Sequence, residues 1–314
     1  MNAFPDALSR RELLAIAASP LLAPYLDAFD SGDPIIDIHQ HTNYHGRTDE
    51  QLIAHQKAMG VLRTILLPAG RSVDRPSTDN GRSNGLAAKT GGNEPCLSLS
   101  RKHPKQFLFF ANEVSDLPEA REEIRKYLRL GARGIGEQKF NLQCDSPDMI
   151  RIYELAEERR VPVLLHFQFD NYNKGFERFG KVLERFPKVT FIGHAQTWWA
   201  NIDRDYTESQ GLYPKGKVTS GGLTDQYLTR FRNVYADMSA GSGLNALTRD
   251  ADHAREFLSR HQDRILYGSD CDDITGTIPE CQGAQTIAAL RTLCASKSIE
   301  RKILFENARK LFRL

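Results

Sequence analysis

The stretch PIIDIHQH, residues 34–41, runs from aliphatic residues into two histidines one residue apart. A short run rich in β-branched residues reads as a buried strand. Alternate side chains of a strand share a face, so His39 and His41 are expected to point one way, with Asp37 beside them. Two neutral imidazoles at that spacing can hold one divalent ion. The pair alone also suits ordinary packing, so the remaining strands must decide.

Seven further runs follow the same pattern: RTILLP (63–68), QFLFFAN (106–112), GIGEQKF (134–140), VPVLLHF (161–167), VTFIGH (189–194), NVYADMS (233–239) and RILYGSD (264–270). Helical patterns lie between many of them. Thr48 caps one that ends on Gly60, and Ser146 caps another with Pro147 at its first position. Others are LPEAREEIRKYLRLG, GFERFGKVLERFP, DADHAREFLSRH, CQGAQTIAALRTLCASK and SIERKILFENARKLFRL. Strands that alternate with helices make a parallel sheet, because parallel neighbours need crossovers. Eight such units close a (β/α)8 barrel, the TIM-barrel form of the α/β class. An open doubly wound sheet is the alternative, and it has neither GxGxxG nor a P-loop to support it. The barrel is expected as one domain over 34–314. Residues 69–93 and 195–224 are long connections after strands 2 and 6, on the face where barrel active sites sit.

The strand ends carry the chemistry. Beyond His39 and His41, strand 4 ends with Glu137 and Lys139, strand 5 with His166, strand 6 with His194 and strand 8 with Asp270. Any one of these is commonly a satisfied core or loop residue. Five strands of one barrel ending in ionisable groups are hard to assign to packing, since buried unpaired charge is expensive and a cation offsets it. Imidazole and carboxylate donors without thiolate suit Zn²⁺ first, with Mn²⁺ or Fe²⁺ also fitting, as one ion or two.

The set resembles the amidohydrolase superfamily of metal-dependent barrels, in its amidohydrolase-2 branch of lactonases and decarboxylases. The GSD at strand 8 and the closing ENARKLFRL add to that likeness. GIGEQKF is also similar to strand 4 of the TatD-type deoxyribonucleases, whose Glu binds metal. The resemblance spans nearly all the chain after residue 33. It implies a metal set of His39, His41, Glu137, His166, His194 and Asp270, with Lys139 as the alternative strand 4 ligand if carbamylated. It also implies that Asp270 accepts a proton from metal-activated water and passes it to the leaving group. His194 would complete a second metal site or polarise the substrate oxygen. Asp37 is expected to orient an imidazole. Substrate contacts are expected from Lys139 as an anion reader, from Arg71, from Trp198 as a flat face, and from His45 at the mouth. Asp272 and Asp273 read as a solvated acidic loop.

The function expected is hydrolysis of a small lactone, amide or ester. Metal-dependent decarboxylation of a small unsaturated or aromatic acid is the alternative, and a TatD-like nuclease comes third. With 42 Lys and Arg against 40 Asp and Glu, the net charge of +2 gives no footing for nucleic acid or a membrane surface. No apolar run is long enough to span a bilayer. A non-catalytic ligand-binding barrel is disfavoured because no ligand position is missing. A small-molecule substrate is the expected partner, and homo-oligomerisation stays open. The five cysteines are odd in number and scattered without CxxC, which argues against a disulfide framework and against a thiolate zinc site. Residues 1–33 read as one of two things. SRRELLAIAASPLLAP resembles a twin-arginine export signal, implying a periplasmic protein. Pro20, Pro24 and the lack of a clean A-x-A site weaken that signal, and a helix packed on the barrel of a cytoplasmic protein is the equal alternative.

Overall fold

The computed structural model describes residues 33–86 and 89–314. The expected N-terminal helix or export signal lies outside the described residues. Eight parallel strands follow one another: β1 (Ile35–Gln40), β2 (Val61–Leu66), β3 (Phe107–Phe109), β4 (Ile135–Gln138), β5 (Val163–His166), β6 (Phe191–His194), β7 (Val234–Asp237) and β8 (Ile265–Leu266). They pair in chain order as β1-β2-β3 and β4-β5-β6-β7-β8. Two contacts join these arcs. Ala111 bridges Ile135 in parallel between β3 and β4. Ile38 N–H donates to Tyr267 O at 3.1 Å between β1 and the end of β8. The sheet therefore closes on itself as a (β/α)8 barrel.

Helices fill the crossovers. They are α1 (Asp49–Ala58), α2 (Asn93–Lys102), α3 (Ala120–Arg129), α4 (Pro147–Arg159), α5 (Phe179–Arg185), α6 (Gln196–Ala200), α7 (Leu223–Arg230), α8 (Ala240–Thr248), α9 (Ala251–Arg260), α10 (Gln282–Leu293), α11 (Lys297–Arg301) and α12 (Asn307–Phe312). Their starts follow local chemistry. Thr48 and Gln51 form a reciprocal capping box at α1, and Ser146 accepts from Met149 N–H at α4 with Pro147 in the first turn. Helices α2, α6, α7 and α8 were not singled out from the sequence.

The core has two layers. Inside the barrel, Ile36, Ile38, Ile65, Leu67, Leu108, Phe110, Leu164, Ile192 and Leu266 pack together, and Phe312 from α12 joins them. Outside, the opposite strand faces pack on the helices around Tyr153, Phe179, Phe191, Trp198 and Tyr267. This apolar filling leaves the strands' C-terminal ends as the place for polar groups.

Two register slips set up that end. On β1, Asp37 pairs with Thr64 and Gln40 with Leu66, so three steps on one strand face two on the other. Ile36 and Ile38 point into the barrel, and Asp37 points out to Gln56 on α1. The slip then turns His39 inward as well, sends Gln40 outward to Ser269 and Cys271, and turns His41 inward. Asp37 therefore does not share the histidines' face, which corrects the simple alternation expected from sequence. On β4, Ile135 pairs with Val163 and Gln138 with Leu165, again three steps against two. Gly136 sits there at φ +136°, where a Cβ would stand 2.8 Å from Leu164 O, so the residue that delivers Glu137 must be glycine.

Candidate metal centre

Four imidazoles and two carboxylates meet over the barrel's apolar filling. His39 Nε2 lies 3.4 Å from Glu137 Oε2 and 3.7 Å from Asp270 Oδ1. His41 Nε2 lies 3.3 Å from Asp270 Oδ1 and 3.9 Å from Glu137 Oε2. His194 Nε2 lies 3.7 Å from Glu137 Oε1 and 3.8 Å from Asp270 Oδ2. Two donor sets result, His39 with His41 and Asp270, and His39 with Glu137 and His194, each with ligand atoms within 4.8 Å of one another. His166 stands one step back, where its Nδ1–H donates to Glu137 Oε1 at 2.5 Å.

The ring nitrogens facing away from the centre are all engaged. His39 Nδ1–H donates to Asp237 Oδ2 at 2.6 Å. His41 Nδ1–H donates to Leu67 O at 2.8 Å. His194 Nδ1–H donates to Ser239 Oγ at 3.0 Å, and that hydroxyl donates to Asp237 Oδ2 at 3.0 Å. These bonds leave each Nε2 with its lone pair turned to the centre. Two of those nitrogens, on His39 and His194, are buried without a hydrogen-bond partner, and so is Asp270 Oδ1. Buried polar atoms are nearly always satisfied. Orphans converging on one point fit a bound divalent cation, and the donor set is nitrogen and oxygen only.

The electrostatics agree. Burial opposes a charge on His39, but the carboxylates of Asp270, Asp237 and Glu137 outweigh it and hold its pKa well above the imidazole range. A divalent ion at the same point would displace that proton from Nε2. Burial pushes His194 down to about 4. Burial alone would raise Glu137 and Asp270, yet His39 and its neighbouring imidazoles hold both carboxyls well below their usual range. Those carboxylates keep their negative charge in a buried space, which attracts a cation.

The backbone is bent to make the site. Ala195, Ala240 and Asp270 follow β6, β7 and β8 at φ +81°, +60° and +43°. Non-glycine residues in that region carry local strain and cluster at functional sites. Asp37 anchors the floor: its carboxylate accepts from His39 N–H at 3.0 Å, Ser269 N–H at 2.9 Å and Gln56 Nε2 at 3.1 Å. It holds the backbone of both ligand strands and touches no imidazole. The carboxylate that orients imidazoles is Asp237, which sequence reading passed over, although it ends strand 7 of NVYADMS.

The expected substrate contacts separate into two groups. Lys139 stands at the rim with Nζ 5.2 Å from the centre of the Tyr172 ring, close enough to help lower the pKa of His166 once burial has done so. Among the described residues, no carboxylate pairs with it. His45 is half exposed, with Nδ1 2.5 Å from Asp272 Oδ2. Its neighbour Tyr44 was not singled out from sequence. That ring meets His41 edge-on at 5.0 Å, and the charge of Asp270 together with burial raises the phenol's pKa so that it keeps its proton. Two expectations are overturned. Trp198 is fully buried, stacked on Phe167 over Gly193, where a Cβ would lie 2.1 Å from its ring, so it offers no face to a substrate. Arg71 is committed to Glu113 at 2.7 Å and Glu119 at 3.0 Å, so its guanidinium is not free to read a substrate carboxylate.

A closed parallel barrel with imidazoles and carboxylates converging at its C-terminal rim is the architecture of the metal-dependent (β/α)8 enzymes. A family model described as amidohydrolase matches residues 36–314, and the chain belongs to that family, in its amidohydrolase-2 branch. A comparison with curated proteins gives no match. Among solved structures, 2,6-dihydroxybenzoate decarboxylase from Rhizobium is 16% identical with a TM-score of 0.57, covering 90% of this chain and 99% of that one. A probable 2-pyrone-4,6-dicarboxylic acid hydrolase from Acinetobacter baumannii is 13% identical at 0.58, covering 89% and 99%. The 5-carboxyvanillate decarboxylase of Novosphingobium aromaticivorans, solved with bound manganese, is 17% identical at 0.56, covering 91% and 98%. At these identities the likeness is one of fold.

Proposed function

We propose that this protein is a metal-dependent hydrolase of a small lactone, amide or ester that carries a carboxylate. The observation behind this reading is the pair of buried, unpartnered Nε2 atoms of His39 and His194 together with Asp270 Oδ1. His39, His41, Glu137, His194 and Asp270 would hold a divalent ion, with His166 bracing Glu137. Bound there, such an ion supplies Lewis acidity to a water or to a substrate oxygen.

The chain's own residues do the rest. Asp270 is an ionised acceptor at the rim, suited to take a proton from the attacking water and return it to the leaving group. Tyr44 keeps its proton beside Asp270 and can donate a hydrogen bond to a substrate oxygen. Lys139, which pairs with no carboxylate among the described residues, suits an anionic group on the substrate. Acids appear in the names of both the decarboxylases and the pyrone dicarboxylic acid hydrolase that share the fold, which agrees with a cation at the rim.

The test is metal analysis of the purified chain followed by turnover of carboxylated lactones and aromatic acids, with proton release and CO₂ recorded together. Hydrolysis predicts proton release without CO₂. Stoichiometric CO₂ would replace this reading with decarboxylation, and a chain that binds no metal would end both.

A further inference from the structure

A second group of metal-binding side chains lies beside the mouth, where α1 meets the segment after β8. His55 Nε2 is 3.0 Å from Asp273 Oδ2, 3.2 Å from Cys271 Sγ and 3.4 Å from Cys281 Sγ. The two sulfurs are 3.3 Å apart, and all four ligand atoms lie within 4.8 Å of one another. His55, Cys271 and Cys281 are buried, and the Asp273 side chain is 16% exposed. Asp273 is thus not the solvated loop residue expected from sequence.

One imidazole nitrogen carries either one proton or one lone pair. It can satisfy only one of its three neighbours at a time, while the sulfurs have each other and Cys281 Sγ also accepts from Ala284 N–H. A disulfide would use the two sulfurs alone and give His55 and Asp273 no part. A cation at the centre uses all four.

We propose that His55, Cys271, Asp273 and Cys281 form a closed structural Zn²⁺ site, separate from the metal cradle at the mouth. Two thiolates, one imidazole nitrogen and one carboxylate oxygen make a four-ligand set with no open position, which is the pattern of structural rather than catalytic zinc. With zinc bonds of about 2.3 Å to sulfur and about 2.0–2.1 Å to nitrogen and oxygen, a tetrahedron has edges of about 3.4–3.8 Å. The gaps observed are at most about half an ångström short of that, so small outward rotations admit the ion. Binding displaces the thiol protons to solvent.

The surroundings are already fixed for this role. Arg47 donates to the backbone oxygens of Cys271 and Asp273, each at 2.9 Å. Cys281 caps α10 by accepting from Ala284 N–H at 3.3 Å. The ion would tie together α1, the start of α10 and the loop between β8 and α10. That loop carries Asp270, one residue before Cys271, so the site would brace the mouth from behind.

The experiment loads the full chain with Co²⁺. Thiolate-bound cobalt gives a near-ultraviolet charge-transfer band, and the mouth residues contain no sulfur, so the band reports the second site alone. The expected result is that band in the wild type and in His39→Asn, and its loss in Cys281→Ser together with one equivalent of zinc per chain. Asp273→Asn, a milder change, should weaken zinc retention against a chelator about 10-fold or more, in line with the loss of one ligand. Absence of the band from the cobalt-loaded wild type would overturn the proposal. So would intact-mass evidence that Cys271 and Cys281 are joined as a disulfide in the protein as purified.

Discussion

Asp237 Oδ2 stands 2.6 Å from His39 Nδ1 and 3.0 Å from the Ser239 hydroxyl that serves His194, so one carboxylate on β7 orients two imidazoles of the metal cradle. Trp199 Nε1–H donates to the Asp237 backbone oxygen at 2.9 Å and holds the strand end in place. Asp237→Asn keeps the shape and removes the charge. Metal affinity should fall about 10–100-fold, the usual loss when a carboxylate behind a ligating histidine is removed. Competition against a chelator of known affinity measures it, and an unchanged affinity would show that the rings are held by packing alone.

Glu137 bridges His166 and the centre, so Glu137→Gln separates two roles. If the carboxylate is a ligand, the variant loses metal while the fold, followed by circular dichroism, remains. Metal stoichiometry equal to wild type would remove Glu137 from the ligand set and leave it as a brace for His166.

Lys139→Met should act on substrate binding alone. The loss of one charge-assisted hydrogen bond, about 1.5–3 kcal/mol, corresponds to a KM raised about 10–100-fold for a carboxylated substrate. KM for its uncharged methyl ester and metal content should hardly move. An equal effect on both substrates would mean that Lys139 shapes the rim without reading charge.

Stability toward acid has a source away from the cradle. Burial opposes a charge on Asp225, but the hydrogen bond from His261 at 2.5 Å and the nearby Arg260 outweigh it and hold the carboxyl below its ordinary value. A carboxyl with a depressed folded pKa adds stability that is full above its unfolded value, near 3.8, and fades as pH falls through the lower folded one. Asp225→Asn should therefore cost about 1–3 kcal/mol near neutrality and flatten the fall in stability below about pH 4. Urea unfolding at several pH values tests the sign: a variant with the wild-type slope in acid would contradict it.

The barrel was legible because its strands carry apolar runs and most have a helical pattern beside them, as in VPVLLHF after SPDMIRIYELAEERR. The ligand candidates were legible because β-strands of a barrel end on one face, so His39, Glu137, His194 and Asp270 could be gathered without knowing any distance. Asp37 was misjudged because an extra residue in β1 reverses the alternation, and nothing in the letters marks that slip. Asp237 carried the same signal as Asp270 and was readable in VYAD. Trp198 looked like a pocket wall because it follows His194, but the absent side chain of Gly193 draws it into the core. His55 and Cys271 are separated by more than two hundred positions. No spacing rule connects them, and only the folding of α1 against the loop after β8 brings them together.

The bond from His41 to the Leu67 carbonyl has a consequence for heredity. His39 and His194 are tuned by the side chains of Asp237 and Ser239, which a single codon change can alter. His41 is tuned by a main-chain oxygen, which is the same whatever residue occupies position 67. Descendants of this gene can adjust the electron density of two imidazoles by substitution, while the third keeps its tautomer through any replacement there that leaves the strand end in place.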